Sequence, residues 1–177
     1  MEAKLLRRNI VGMDINPAAL QRCFNKTSFD YPNAGKVVLR ECDARKMIYI
    51  GNESIDFICT HPPYANIIRY SEDIENDLSR LDVAVFLEEM IPVAQECFRV
   101  LKPNKFCAIL MGDTRKRGHV VPLSFDVMKI FENVGFYIKE IIIKEQHNCR
   151  STERWKSSGE KNNFLLLAHE YLFVFKK

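Results

Sequence analysis

The 177-residue sequence lacks the features of a membrane-spanning, exported or disulfide-bonded protein. No apolar run approaches the roughly 18 residues of a membrane span, and the charged first residues contain no signal-peptide apolar region. The six cysteines form no CxxC pair and lie mostly in apolar segments, which is typical of reduced, buried thiols. We therefore expect a cytoplasmic protein that makes no membrane contact.

Metal-dependent chemistry and nucleotide hydrolysis also lack their sequence signatures. The four histidines are far apart, without HExxH spacing, and the chain contains no GxxxxGK[ST] segment. The net charge of +3 is weak support for an anionic partner and does not by itself identify nucleic acid. A hydrophobic content of 47% in a chain of this length indicates one globular domain with a substantial core.

The most informative stretch is His61-Pro62-Pro63-Tyr64, which follows an apolar run over residues 55–59. Two prolines cannot continue a strand ladder, because each lacks an N–H and has a fixed φ. The chain must therefore leave a buried strand in a stiff turn, with a polar side chain before it and an aromatic ring after it. Acceptors beside an aromatic face suit a flat ring that carries an amino group, so we interpret this turn as the active-site loop of an amino-group methyltransferase.

The rest of the chain predicts strands that alternate with helices. Helix-start signals and apolar spacing predict helices over residues 16–27, 82–101 and 122–133, the last closed by Gly135. Apolar and β-rich runs predict strands over residues 9–14, 36–40, 55–60, 106–111, 136–144 and 164–175. This order predicts an α/β fold with a mostly parallel sheet. The last two strands, joined by a long polar loop over residues 145–163, predict an antiparallel C-terminal hairpin at one edge.

Five segments, in this order, resemble the S-adenosylmethionine-dependent DNA methyltransferases, which methylate the exocyclic amino group of adenine or cytosine. They are Asp14-Ile15-Asn16-Pro17, Cys42-Asp43-Ala44, Thr60-His61-Pro62-Pro63-Tyr64, Arg99-Val100-Leu101-Lys102-Pro103 and Met111-Gly112-Asp113-Thr114-Arg115. Residues 169–176 are also similar to the end of that family's catalytic domain. The resemblance covers nearly the whole chain and implies a Rossmann-like class I methyltransferase that acts on DNA, as in restriction-modification systems.

Four residues are implied to bind S-adenosylmethionine. Asp14 lies between a strand and a helix, where doubly wound folds bind nucleotides, and is expected to accept from ribose hydroxyls; otherwise it only favours the helix start. Asn16 is the N-cap of that helix and is expected near the cofactor. Asp43 is expected to contact the adenine amino group, unless it is a turn residue, and Ala44 to offer backbone contacts.

The proline turn is implied to bind the target amine. His61 and the Pro62 carbonyl are expected to accept its hydrogen bonds, which localises a lone pair otherwise spread into the ring and positions it for attack. Only a neutral imidazole has an acceptor nitrogen, and His61 is also expected to take the proton afterwards. Tyr64 is expected to stack on a flipped-out base, while Pro63 helps to hold the turn. The alternatives are a structural histidine and a core tyrosine.

Two polar segments are candidates for the nucleic-acid side. The first segment follows a buried strand, and the resemblance implies that it lines the side of the site that faces the target base. Its cations could contact DNA phosphates; the alternative is an ordinary solvated loop. Its residues are Asp113, Arg115, Lys116 and Arg117. The second contains Arg154 and Trp155, where a lone tryptophan among cations suits nucleic-acid contact or anchors a hinge.

The sequence departs from the family in two places. It has no FxGxG-type segment, so we expect residues 1–177 to form a catalytic domain that is incomplete at its N-terminus and lacks the first strand. The exposed strand edges would then favour a homodimer, or a second chain that supplies the missing motif. The second departure is His61, where the family usually has Asp, Asn or Ser, so adenine and cytosine are not distinguished. An RNA amino-methyltransferase and an inactive or split fragment are the alternatives.

Overall fold

Strands and amphipathic helices alternate along the chain in the computed structural model, which describes residues 1–147 and 152–177. The described helices are α1 (Glu2–Leu5), α2 (Pro17–Thr27), α3 (Val83–Val100), α4 (Leu123–Val134) and α5 (Thr152–Asn162). The described strands are β1 (Ile10–Asp14), β2 (Val37–Glu41), β3 (Ile55–Thr60), β4 (Leu101–Met111), β5 (Thr114–Lys116), β6 (His119–Val121), β7 (Tyr137–Glu145) and β8 (His169–Lys176). Two short 3-10 helices, Ala65–Ile67 and Leu78–Arg80, lie between β3 and α3.

Hydrogen bonds divide these strands into three sheets. β1 and β2 form a parallel pair. The main sheet has the order β3-β4-β8-β7, in which β3 and β4 are parallel and β8 is antiparallel to both of its neighbours. β5 and β6 form a separate hairpin. The predicted α/β fold, with parallel pairs and an antiparallel C-terminal pair, is therefore confirmed.

Capping residues set the helix bounds that the sequence predicted. The side chain of Asn16 accepts from the backbone N–H of Ala18 at 2.9 Å and begins α2. Asp82 accepts from two N–H groups of the first turn of α3, at 3.1 and 3.2 Å. Gly135 ends α4 with a φ of 120°, a conformation that glycine adopts without steric cost. Each cap satisfies backbone groups that a helix end leaves without partners.

The core lies between the main sheet and the helices α3 and α4. The predicted apolar face of α3 is confirmed at Phe86 and Met90, whose side chains are fully buried. Phe131 of α4 stacks on Phe175 of β8, with ring centroids 5.2 Å apart. Each such side chain contributes roughly 1.5–3 kcal/mol by leaving water. This packing holds the carboxyl ends of β3 and β4 in fixed positions.

The structure differs from the sequence prediction in two segments. The predicted polar loop, residues 145–163, contains α5, and residues 148–151 lie outside the described part of the chain. A helix without a clear apolar stripe has no periodicity to reveal it. The polar segment after β4 forms the β5–β6 hairpin, because Arg117 and Gly118 have φ values of 51° and 82° and make a tight turn.

The cysteines are free thiols throughout the described residues. Cys42, Cys97 and Cys107 are buried as predicted, whereas Cys23 and Cys59 are exposed, so the expectation of buried thiols is wrong for those two. No helix in the described ranges is long and apolar enough to cross a membrane.

Candidate active site

A cavity of about 660 Å³ lies between β1 and β3, runs along both strands, and reaches the residues that follow β1, β2 and β3. Helices α2 and α3 contribute further wall residues, such as Ala19 and Val93. The cavity brings together both the predicted cofactor residues and most of the proline turn. The predicted residues in its wall are Asp14, Asn16, Asp43, Ala44, His61, Pro62 and Pro63.

The predicted cofactor residues line the end of this cavity that begins at Asp14, the last residue of β1. Asp14 is exposed, and one of its carboxylate oxygens accepts from the backbone N–H of Asn16 at 2.8 Å. The other oxygen accepts no hydrogen bond from residues 1–147 or 152–177, so it can accept from a hydroxyl. Asn16 uses its own side-chain oxygen to cap α2, so the predicted cap is confirmed.

Asp43 lies beside the cavity in a network of ion pairs. Arg45 donates to both of its carboxylate oxygens, at 2.6 Å from Nη2 and 3.0 Å from Nε, and pairs with Glu89 on α3. Burial opposes ionisation of Asp43, but the hydrogen bonds from Arg45 outweigh it and hold the pKa of this carboxyl below its ordinary value. Asp43 is therefore a fixed anion at the cavity wall, and the network ties the β1–β2 unit to α3.

The proline turn leaves β3 as the sequence predicted. Pro62 is buried, while His61 is exposed and Tyr64 is half-buried. The Nε2 atom of His61 lies 2.9 Å from the Tyr64 hydroxyl. The Tyr64 ring packs against Gly112, where an added Cβ would approach Cε2 of the ring to 3.1 Å. This glycine permits the close approach of the loop after β4 to the turn.

Glu170 of β8 completes this arrangement, although sequence reasoning did not select it. Its carboxylate accepts from the Tyr64 hydroxyl at 2.5 Å and from Lys144 Nζ at 2.6 Å, and its side chain is only 6% exposed. Burial opposes its ionisation, but hydrogen bonds from Lys144, Tyr64 and Gln146 outweigh it and lower the pKa of Glu170. Burial, together with the Glu170 carboxylate, raises the pKa of Tyr64 well above its ordinary value. The available sequence signal was a carboxylate in a strand that is otherwise largely apolar, because a buried charge needs a partner.

The predicted nucleic-acid residues after β4 occupy different positions. One carboxylate oxygen of Asp113 accepts from the N–H and hydroxyl of Ser124 and thereby caps α4. Arg115 donates to the carbonyls of Gly118 and Leu165, at 2.8 and 3.0 Å. Lys116 and Arg117 are exposed at the tip of the β5–β6 hairpin. In the part of the chain that the structure describes, Lys116 and Arg117 therefore carry the exposed charge of this tip.

Arg154 and Trp155 lie in helix α5, and the described part of the structure includes their backbone but not their side chains. The described residues contain no group of three or more histidine, cysteine or acidic side chains placed to hold a metal ion.

The edges of β1 and β3 that border the cavity lack strand partners among the described residues. β1 pairs only with β2, and β3 only with β4. Val11 and Phe57, on these two strands, are 40% and 57% exposed and line the cavity. Two unpaired parallel edges beside one cavity are an open site for a further strand.

The fold is that of Rossmann-like methyltransferases. A SAM-dependent methyltransferase of Methanosarcina mazei superposes with a TM-score of 0.63 at 14% identity, covering 99% of this chain and 85% of that one. The protein TTHA0409 of Thermus thermophilus, solved in complex with S-adenosyl-L-methionine, superposes with a TM-score of 0.57 at 25% identity, covering 76% of this chain and 53% of that one.

Sequence comparison identifies a narrower group of relatives than the comparison of folds. Residues 55–177 match the DNA methylase family of N6 and N4 methyltransferases, and the chain belongs to this family. It is 29% identical to the type II methyltransferase M.MjaI of Methanocaldococcus jannaschii over 76% of this chain. The alignment covers 54% of M.MjaI, so the chain spans about half the length of that relative.

Proposed function

We propose that this chain transfers a methyl group from S-adenosylmethionine to the exocyclic amino group of adenine or cytosine in DNA. The observation that carries this proposal is the single cavity that joins Asp14 to the His61-Pro62-Pro63 turn. Family membership and the relationship to a type II methyltransferase support DNA as the substrate, and a cytoplasmic reaction of the restriction-modification type.

The cavity suits S-adenosylmethionine at the β1 end. A carboxylate at the carboxyl end of a strand accepts from ribose hydroxyls, and Asp14 has this position in the cavity wall. Asp14 would hold the ribose, with Asn16 fixing the start of α2 beside it. Asp43, held rigid by Arg45, and the backbone of Ala44 would hold the adenine. When bound, S-adenosylmethionine supplies an electrophilic methyl group.

The proline turn would bind and orient the target amine. His61 and the Pro62 carbonyl accept its hydrogen bonds, which favour tetrahedral geometry at nitrogen and keep its lone pair available for attack. Pro63 stiffens the turn, and the Tyr64 ring offers an aromatic face to a base extruded from the duplex. His61 then takes the proton that the methylated amine releases.

The DNA backbone would be contacted outside the cavity. Lys116 and Arg117 carry the exposed charge of the hairpin tip and would neutralise phosphates. Arg115 would position this hairpin, since its guanidinium bonds to Gly118 and Leu165 of its own chain. Asp113 would stabilise the structure next to this hairpin, because its carboxylate caps α4. Arg154 and Trp155 on α5 would extend the contact, by the sequence pattern alone.

The catalytic unit in this proposal comprises residues 1–177 together with one added apolar strand between β1 and β3. The open edges of these strands and the apolar wall beside them support a parallel strand from another polypeptide segment. The resemblance implies that such a strand ends in an FxGxG-type turn. Residues 1–177 contain no such segment.

The reaction is tested by incubating the full chain with labelled S-adenosylmethionine and either duplex DNA or transfer RNA, followed by digestion to nucleosides. We expect N6-methyladenine or N4-methylcytosine from DNA. Methylated nucleosides from RNA alone would instead identify an RNA amino-methyltransferase. Isothermal titration with S-adenosylmethionine, competed by S-adenosylhomocysteine, identifies an inactive fragment if binding is absent both for the chain alone and with the added strand supplied as a peptide.

The added strand is tested by repeating both measurements with a synthetic apolar peptide that ends in Phe-Xaa-Gly-Xaa-Gly. We expect the peptide to bind and to raise both cofactor affinity and methyl transfer. A peptide of the same composition with a central proline is the control, because proline cannot complete the strand pairing. Equal effects of the two peptides, or no binding of either, would remove the strand from the proposal.

A further inference from the structure

A continuous chain of hydrogen bonds connects the proline turn to the C-terminal strands. Lys144 of β7 donates to one oxygen of Glu170, and Tyr64 donates to the other. The same Tyr64 oxygen lies 2.9 Å from Nε2 of His61, while Glu170 itself is 3.7 Å from that nitrogen. The chain therefore runs from a buried carboxylate, through a phenol, to the side chain proposed to contact the target amine.

The direction of these bonds follows from the donors and acceptors available. An ionised carboxylate only accepts, and the lowered pKa of Glu170 keeps it ionised. The single Tyr64 proton is therefore directed to Glu170, and the raised pKa of Tyr64 keeps that proton in place. The phenol oxygen then has only lone pairs to offer to His61, so Nε2 of a neutral His61 must carry the proton.

The other ring nitrogen of His61 has different surroundings. No hydrogen bond to Nδ1 occurs within residues 1–147 and 152–177, and His61 lines the cavity with its side chain 49% exposed. A neutral imidazole that is protonated at Nε2 has its acceptor lone pair on Nδ1. The acceptor for the target amine is consequently Nδ1.

We propose that Glu170, acting through the Tyr64 hydroxyl, holds His61 in the Nε2–H tautomer and so presents Nδ1 as the hydrogen-bond acceptor for the target amine. This role rests on the proposed function of the turn. Glu170 is a positioning residue, since it contacts no reacting atom. Tyr64 then has two roles: its ring face contacts the target base, and its hydroxyl accepts the hydrogen bond from His61.

Lys144 stabilises this arrangement, and its presence allows one substitution at Glu170 to reverse the direction of the hydrogen bonds. In Glu170→Gln, the amide oxygen should face the Lys144 ammonium, which only donates, while the Gln146 side chain that also bonds Glu170 can either donate or accept. The amide NH2 should therefore face Tyr64. The phenol would then accept from the amide and donate to Nε2 of His61. The proton of a neutral His61 would be forced to Nδ1, and the acceptor would be withdrawn from the target amine.

The tautomer is measured directly by long-range proton–nitrogen NMR on the uniformly labelled full chain without substrate. The pH is set well above the ordinary histidine pKa of about 6.5, and the spectrum of His61→Gln identifies the His61 signals. We expect a protonated Nε2 in the wild type and a protonated Nδ1 in Glu170→Gln. The control, Glu140→Gln, changes an exposed carboxylate of the same β7–β8 pair and should leave the tautomer unchanged. A wild-type His61 protonated at Nδ1 would overturn the proposal whether or not the chain methylates DNA.

Kinetic measurements separate positioning from folding. A wrong histidine tautomer costs a serine protease about 10⁴-fold in kcat, so we expect Glu170→Gln to lower kcat by at least about 100-fold at unchanged cofactor affinity. Tyr64→Phe keeps the ring face and should lower mainly kcat, whereas Tyr64→Ala should also raise KM for DNA. If His61→Ala abolishes transfer but Glu170→Gln and Tyr64→Phe both retain wild-type kcat, Glu170 has no positioning role. If the wild type has the Nε2–H tautomer and only the reaction fails, the proposed function is at fault instead.

Discussion

His61 occupies the first position of the turn, and the described residues around it provide a hydrogen-bond partner for only one of its two ring nitrogens. Its side chain is half exposed in the cavity wall, and its other nitrogen is bound to Tyr64. A carboxylate at this position would offer several lone pairs and a negative charge. A histidine offers a single directed lone pair, so its effectiveness depends on the residues behind it.

Removing this imidazole should abolish methyl transfer without disturbing cofactor binding. We expect His61→Ala to lose at least about 100-fold in kcat, because general acid–base and acceptor contributions are of that size. Isothermal titration should give a wild-type affinity for S-adenosylmethionine. A parallel loss of both properties would contradict the assigned role, since His61 would then be holding the cavity together.

Asp14 is predicted to act on the cofactor alone. Asp14→Ala should weaken S-adenosylmethionine binding about tenfold or more, because a hydrogen bond to a charged group contributes about 1.5–3 kcal/mol. Asp14→Asn is the matched variant: it keeps the acceptor that Asn16 N–H uses in the structure, but it replaces the oxygen that would accept from the ribose by an NH2 donor, so it should weaken binding as well. Titration calorimetry measures both, and an unchanged affinity in Asp14→Ala would exclude Asp14 from the site.

Among the elements, the β5–β6 hairpin shows how local backbone geometry places charge. Its turn needs two residues with positive φ, which Arg117 and Gly118 provide, and this brings Lys116 and Arg117 to an exposed tip. The polar composition of this segment predicted a loop. The hairpin was not predicted, because an arginine rarely adopts the left-handed conformation that the turn requires.

The charges at this tip should contribute to DNA affinity through counterion release. Lys116→Ala combined with Arg117→Asn should lower affinity and reduce the slope of log Kobs against log salt by about 2, since each phosphate contact contributes about 0.9. Asparagine at position 117 tolerates the positive φ, so the turn should survive. Fluorescence anisotropy over a salt series measures the slope. The same charge removal at Lys129 and Lys139, both exposed on other elements, should not change it.

At the scale of the whole molecule, the structure predicts a loss of stability in acid. Burial opposes ionisation of Asp43, Asp77 and Glu170, but their hydrogen-bond donors outweigh it and hold the pKa of each below its ordinary value. The hydrogen bond from Arg99 lowers the pKa of Glu96 as well. These groups stay charged in the folded chain while the unfolded chain takes up protons. Their contribution is therefore present above about pH 4 and is lost as pH falls through the folded-state values.

Thermal unfolding followed by circular dichroism between about pH 7 and pH 3 measures this loss. The midpoint should fall steeply below about pH 4. Glu170→Gln should show a shallower fall, because one carboxylate no longer takes part. A midpoint that stays constant over this range would show that the four carboxyl groups have the same pKa values in the folded and unfolded chains.

Sequence reasoning predicted the parts of the molecule that depend on short-range signals. The caps at Asn16 and Gly135, the apolar spacing of α3 and the turn at Pro62 are all encoded by neighbouring residues. The contact between Tyr64 and Glu170 joins residues 106 positions apart, and the pairing of β4 with both β3 and β8 brings them together. Helix α5 was missed for a different reason, since its polar sequence has no apolar face to predict it.

The division between the β1–β2 pair and the main sheet has a mechanical consequence. Asp14 belongs to one sheet and His61 follows a strand of the other, and no described backbone ladder joins the two. The spacing between the two ends of the cavity is therefore set by side-chain bridges, such as Arg45 with Glu89, and by whatever fills the space between. A ligand or strand that fills this space would fix the distance between the two sheets. Amide hydrogen exchange in β1 and β3 should therefore slow when such a ligand or strand binds.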